Sequence, residues 1–162
     1  MQLKGSYSAR EVSAFTGLSA RQLQWWDRHA VFPPAVAPKR TAAGGFTERR
    51  YSPLDTLDLL VLAELRRRKY SVEDIRRIIQ VLRTRFGARP HETLEQSGRM
   101  TLLTDGREIY VRVEDRHFNL LRDPEQPLLV GEERLRGVKV RARRRKTKDS
   151  RLKKKSGAAT AL

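Results

Sequence analysis

Apolar residues recur at helical spacing through the first part of the chain and lose that rhythm after Pro90. Val12 and Phe15 form one short apolar face, and Leu23 and Trp26 form another. Leu54, Leu57, Leu60, Val61 and Leu65 make a longer stripe. Val72, Ile75, Ile78, Ile79, Leu82 and Phe86 make the most regular one. Spacings of three and four put such residues on one side of an α-helix. The pattern predicts helices over 9–16 and 20–28, a third from Pro53 into the basic run Arg66-Arg67-Arg68-Lys69, and a fourth from Val72 to Phe86. Leu59 and Leu62 lie off the third stripe, so that helix is expected to be covered on more than one face.

The polar positions say where these helices begin. Ser8, Ser19, Ser52 and Ser71 are each followed three residues later by an acidic or amide side chain: Glu11, Gln22, Asp55 and Asp74. This is the capping-box pattern, in which the hydroxyl accepts from the first turn and the third residue reaches back to the cap. Each cap contributes roughly 1 kcal/mol to a helix start. Pro53 suits a first helical position, where a missing N–H costs nothing. Gly17 suits the turn after the first helix, Leu18 and Leu23 suit a hydrophobic staple around the Ser19 cap, and Gly87 suits a C-terminal cap. The first two serines are close enough for a short helix, a tight turn and a second helix.

Phe32-Pro33-Pro34 ends that unit, because proline forbids helix to its predecessor. Residues 35–50 contain Lys39, Arg40, Gly44, Gly45, Arg49 and Arg50, and the Gly-Gly pair between short flanks predicts a hairpin or wing. Beyond Pro90, Thr101–Thr104 and Arg107–Val113 flank Asp105-Gly106, which predicts a β-hairpin on a type I′ turn. His117–Arg122 reads as a short helix and Leu128–Val130 as a third strand. From Arg134 the chain reads as a basic tail without period, and disorder is expected there. The expected divisions are 1–90, 91–133 and 134–162. The expected class is mainly α with small β.

Charge sharpens this picture. The net charge is +16. Residues 1–90 hold 17 Lys/Arg against 8 Asp/Glu, residues 91–133 hold 5 against 10, and residues 134–162 hold 13 against 1. Two basic segments therefore flank an acidic one, and a balance of this kind implies a polyanionic partner, nucleic acid first. No apolar run approaches the ~20 residues of a membrane span, and no membrane partner is expected. Residues 1–5 lack a signal-peptide core. Cysteine is absent, which excludes disulfides and thiolate sites. A cytoplasmic, nucleoid-associated location follows by default.

The candidate chemistry is that of DNA binding. A helix fits the major groove, and its first turns reach base edges and phosphates. In the second helix Ser19, Arg21, Gln22, Gln24, Trp25 and Arg28 are the candidate contacts. Trp25 and Trp26 point about 100° apart on a helix, so Trp26 is expected in the core and Trp25 at the surface. Arg49, Arg50 and Tyr51 at the end of the hairpin are candidates for the sugar-phosphate backbone, with Lys39 and Arg40 farther out as non-specific contacts. The tail is expected to add affinity without reading sequence. No catalytic, metal or cofactor site is indicated. His29, His91 and His117 are far apart and read as surface or turn residues, and Gly44-Gly45 lacks the partners of a phosphate loop.

The run Tyr7-Ser8-Ala9-Arg10-Glu11-Val12 through Gly17-Leu18-Ser19-Ala20-Arg21 to Trp25-Trp26-Asp27 resembles the helix-turn-helix of the mercury-resistance-regulator (MerR) family. Val31-Phe32-Pro33-Pro34, Arg49-Arg50-Tyr51-Ser52 and Tyr70-Ser71-Val72-Glu73-Asp74-Ile75 resemble further segments of it, in order, over residues 6–86. The resemblance implies a winged helix-turn-helix that binds double-stranded DNA as a homodimer, with RNA polymerase as a candidate partner. Arg21 matches a family arginine that contacts DNA. Trp25 and Trp26 stand where the family usually has tyrosines, and Gln24 where it often has arginine. Pro90 and the Asp105-Gly106 hairpin interrupt the region of the family's long dimerisation helix, and its metal-sensing cysteines are absent. The expected function is a sequence-specific transcriptional regulator without metal sensing. An architectural or excisionase-like DNA binder and a protein-interaction adaptor are the alternatives. No enzymatic activity is expected.

Overall fold

The computed structural model describes residues 4–41, 44, 47–94, 98–129 and 131–143. It contains four α-helices and two antiparallel sheets. Helix α1 spans Ala9–Thr16, α2 Ala20–Arg28, α3 Pro53–Arg67 and α4 Val72–Phe86. All four capping boxes are formed, with Ser8, Ser19, Ser52 and Ser71 accepting from the backbone N–H of Glu11, Gln22, Asp55 and Asp74. Gly17 (φ 85°) ends α1 and Gly87 (φ 59°) ends α4, both in the left-handed region where a Cβ is disfavoured.

The smaller sheet has the order β1-β3-β2, with β1 at Tyr7–Ser8, β2 at Val36–Arg40 and β3 at Thr47–Tyr51. β2 and β3 form the expected hairpin. Residues 42, 43, 45 and 46 at its tip, including Gly45, lie outside the described residues. β1 extends the sheet by pairing Tyr7 with Tyr51 and Ser8 with Arg50.

The second sheet has the order β7-β6-β5-β4-β8. Its strands are β4 Met100–Thr104, β5 Ile109–Val113, β6 Arg116–Asn119, β7 Asp123–Leu128 and β8 Arg136–Gly137. The protein is therefore mixed α/β rather than mainly α. Three expectations change here. The residues read as a short helix from His117 form β6 instead, because His117 and Phe118 alternate between the two faces of the sheet and Phe118 pairs with Val111. Residues 105–108 form a four-residue loop rather than a type I′ turn. The Asp105 carboxylate accepts from the N–H of Arg107 (2.9 Å) and Glu108 (2.7 Å), and only Gly106 takes positive φ. The third strand ends at Leu128 rather than beginning there, and Val130 lies outside the described residues.

The expected tail is ordered in its first part. β8 pairs with β4, Val138 N donates to Leu102 O at 2.9 Å, and Val138 and Val140 pack on the core. Residues 144–162 lie outside the described residues.

One apolar cluster joins both sheets and all four helices. It runs from Val12, Leu23 and Trp26 through Leu59, Leu62, Ile75 and Leu82 to Leu102, Ile109, Val111 and Phe118. Phe86 of α4 meets Phe118 of β6 edge-on, with centroids 5.2 Å apart. α3 is covered on several faces, as Leu59, Leu60, Val61, Leu62 and Leu65 are all buried, but Leu54 and Leu57 of its stripe are exposed. At that end of the helix the covered side is the polar one. Asp55 and Asp58 are buried under a 3₁₀ turn at Pro90–Thr93. Asp58 accepts from Arg89 Nε (2.8 Å) and from the N–H (2.8 Å) of His91, whose ring Nδ1 lies 2.7 Å away. Asp55 bonds Arg89 Nη2 (2.9 Å), Ser52 N and Ala35 N (both 3.0 Å). These bonds satisfy carboxylates whose burial is otherwise costly. They also fix the chain after α4 and the start of β2 to one helix end.

Candidate nucleic-acid interface

Helix α2 presents two distinct sides. Leu23 and Trp26 are buried, with Trp26 only 2% exposed. Arg21, Trp25 and Arg28 are exposed and Gln24 is half-buried, a spacing that puts them along one stripe of the helix. The guanidiniums of Arg21 and Arg28 make no hydrogen bond or ion pair among the described residues. Trp25 is 43% exposed, and its ring stacks on His29 at 3.9 Å and 15°. His29 is itself held by a 2.9 Å contact between its Nδ1 and Trp25 O. The surface indole is thereby kept in one orientation.

Ser19 and Gln22 have structural work already. Ser19 Oγ accepts from Gln22 N at 3.0 Å, and Gln22 Oε1 accepts from Ser19 N at 2.8 Å. Their reciprocal bond fixes the first turn in which Arg21 stands.

The hairpin is tied to the far end of α2. Arg49 Nε donates to Asp27 Oδ2 at 2.6 Å. Arg50 turns the other way and donates to Ser6 Oγ (Nη2, 2.9 Å) and Ser6 O (Nη2, 3.0 Å), with Glu48 at 3.5 Å. Lys39 and Arg40 are exposed on β2, opposite Glu48 and Thr47, and make no ion pair among the described residues.

Tyr51 departs from the expected surface role. It is fully buried, and its hydroxyl finds no hydrogen-bond partner among the described residues. Burial, and after it the Asp27 carboxylate, push its phenol up to about 12. Its ring faces the core because β3 alternates, with the half-buried Arg50 on one side and Tyr51 on the other. A second departure concerns His117, which is buried in β6 rather than at a surface or turn. His91 is half-buried and engaged by Asp58.

Sequence reasoning missed two participants. Asp27 closes the α2–hairpin contact, and only its position one residue after the Trp pair hinted at anything. Arg143 arrives at α1 from the other end of the chain, with its N–H donating to Phe15 O at 3.0 Å. No local pattern announces so distant a contact. No group of three metal-binding side chains occurs among the described residues, and none of their helices is long and apolar enough to cross a membrane.

Two short capped helices joined by a glycine turn, with a basic hairpin pinned to the second, are the parts of a helix-turn-helix domain. Residues 7–82 match the family described as MerR HTH family regulatory protein. The chain is also similar to uncharacterized HTH-type transcriptional regulators of Mycobacterium bovis and Mycobacterium tuberculosis. Each is 29% identical over 104 residues, which are 64% of this chain and 42% of the relative. The match thus spans less than half the length of those relatives.

Proposed function

We propose that the protein is a transcriptional regulator that binds double-stranded DNA in a sequence-specific way. α2 enters the major groove, and Arg21, Gln24, Trp25 and Arg28 meet bases and phosphates. The β2–β3 hairpin acts as a wing on the adjacent backbone through Lys39 and Arg40, and Arg49 holds it in place. Ser19 and Gln22 set the angle of the first turn. Arg50 and Tyr51 support the wing from within.

The observation that carries this reading is the stripe on α2, where two guanidiniums without a partner among the described residues share one side of a capped helix with an exposed indole. The match to that family supports a homodimer on two half-sites, with residues 91–133 as the dimerisation or partner surface. No thiolate sensor exists in a chain without cysteine, so regulation by metal through thiolates is not part of the proposal.

The test is selection of bound duplexes from a random pool, followed by affinity measurements on the enriched sequence. A recurring motif whose binding weakens in Arg21→Ala supports the reading. Retention of duplexes without any common sequence refutes sequence-specific recognition.

A further inference from the structure

The C-terminal segment that leaves β8 does not stay with its sheet. It crosses to the helix-turn-helix, where Arg143 N bonds to Phe15 O at 3.0 Å. Its guanidinium then lies directly over Gly17, so close that a Cβ there would sit 3.1 Å from Arg143 Nε. A cleft of about 220 Å³ opens at this point, lined among others by Thr16, Gly17, Gln22, Arg66, Arg67 and Arg143. Among the described residues three guanidiniums line it and no carboxylate does.

Two of these arginines are engaged elsewhere. Arg66 Nη1 donates to Tyr70 O at 2.7 Å. Arg67 pairs with Glu64 at 2.8 Å and reaches Thr16 O at 3.3 Å. Arg143 makes no side-chain hydrogen bond or ion pair among the described residues. Its charge, beside two others at an open cleft, therefore has no counter-charge among the described residues. An arginine fork in such a place suits a phosphate oxygen pair. The cleft also adjoins Gln22 in the first turn of α2, where a duplex lies if α2 reads it.

We propose that Arg143, with Arg66 and Arg67, forms a phosphodiester-binding site for the backbone of the duplex, so that the C-terminal segment completes the DNA surface of the helix-turn-helix. The inference rests on the DNA-binding reading above.

The experiment is a salt titration of full-length protein on a fluorescent 30-base-pair duplex of random sequence, with melting temperatures recorded for every variant. Removing one bound phosphate lowers the slope of log affinity against log salt by about 0.9. Arg143→Ala is expected to show that fall and to bind several-fold more weakly at low salt. Arg143→Lys keeps the charge and is expected to keep the slope. Arg136→Ala, on exposed β8 and not a cleft-lining residue, is expected to leave it unchanged.

An unchanged slope in Arg143→Ala overturns the site. So does an equal fall in Arg136→Ala, which would show diffuse charge. Equal falls in Arg143→Ala and Arg143→Lys with lowered melting temperatures would mark a packing role and also overturn it. A wild-type chain that binds no duplex overturns the underlying reading instead, and the site with it.

Discussion

Arg49 donates from Nε to Asp27 Oδ2 at 2.6 Å, and this contact ties the hairpin to the last turn of α2. The two side chains are 31% and 29% exposed. Solvent screens such a pair, so its contribution to stability is small, about 0.2–1 kcal/mol. Its contribution to geometry is larger, because it joins two elements that would meet DNA at different places. A pair that matters little for folding is thus well placed to matter for binding.

Arg49→Ala, Asp27→Ala and the double variant are expected to show a stability coupling below about 1 kcal/mol in a double-mutant cycle. Duplex affinity is expected to fall in both single variants, although Asp27→Ala removes a negative charge. Urea melts and anisotropy on the same duplex check this. Tighter binding by Asp27→Ala would show that net charge outweighs hairpin placement.

Arg21→Ala is expected to weaken binding to a selected operator by about 1–3 kcal/mol if the guanidinium makes a bidentate base contact. A phosphate contact alone would weaken operator and scrambled duplex equally. Parallel titrations of both duplexes separate the two. No loss on either would take the first turn of α2 out of the interface.

The two tryptophans are expected to part company. Trp26→Ala removes a buried ring and is expected to cost about 3–5 kcal/mol. Trp25→Ala removes a half-exposed ring that rests on His29, and is expected to spare the fold and weaken duplex binding. Thermal melts of the two variants give the comparison, and a larger loss for Trp25→Ala would contradict the burial of the pair.

Tyr51→Phe deletes a buried hydroxyl without a partner among the described residues, and such deletions are close to neutral. At neutral pH stability and duplex affinity are expected to be unchanged. The alkaline limb distinguishes the variant. The native phenol titrates near 12 against an ordinary 10.0, so the neutral form is favoured by folding. That contribution is complete below pH 10 and lost as pH rises through 12. Melting temperatures of the wild type are expected to fall more steeply above pH 10 than those of Tyr51→Phe. Parallel curves would place the phenol in contact with water.

Arg89→Met is expected to destabilise the protein by about 3 kcal/mol, because it strands Asp55 and Asp58 without their cation. The carboxylates are 2% and 1% exposed, whereas the arginine is 43% exposed, which favours the low end of the range. Adding Asp58→Asn to Arg89→Met is expected to recover part of the loss. Chemical denaturation of the single and double variants measures it, and no recovery would show that the hydrogen-bonding shape matters more than the charge.

Local chemistry made the helices legible. Each serine cap with its acidic or amide partner acts within four residues, so the starts of α1 to α4 follow from the sequence by itself, as do the ends of α1 and α4 at Gly17 and Gly87. The Trp25/Trp26 division followed from helical geometry, and the hairpin from its glycines. What the tertiary structure decided were relationships between distant residues. Tyr51 is core because β1 and the helices close over it, and a sequence that reads Arg-Arg-Tyr does not show which side chains turn inward. Leu54 and Leu57 stay exposed because Arg89 and His91 bring the chain over the Asp55/Asp58 side of α3. His117 is in a strand because β5 offers it a partner edge, while the same residues alone have no strong preference. Arg143 reaches α1 because β8 pairs with β4 and sends the chain back. Capping and periodicity are short-range and written in order along the chain. Burial, ion pairing and strand partnership depend on which surfaces meet after folding, and only the folded arrangement settles them.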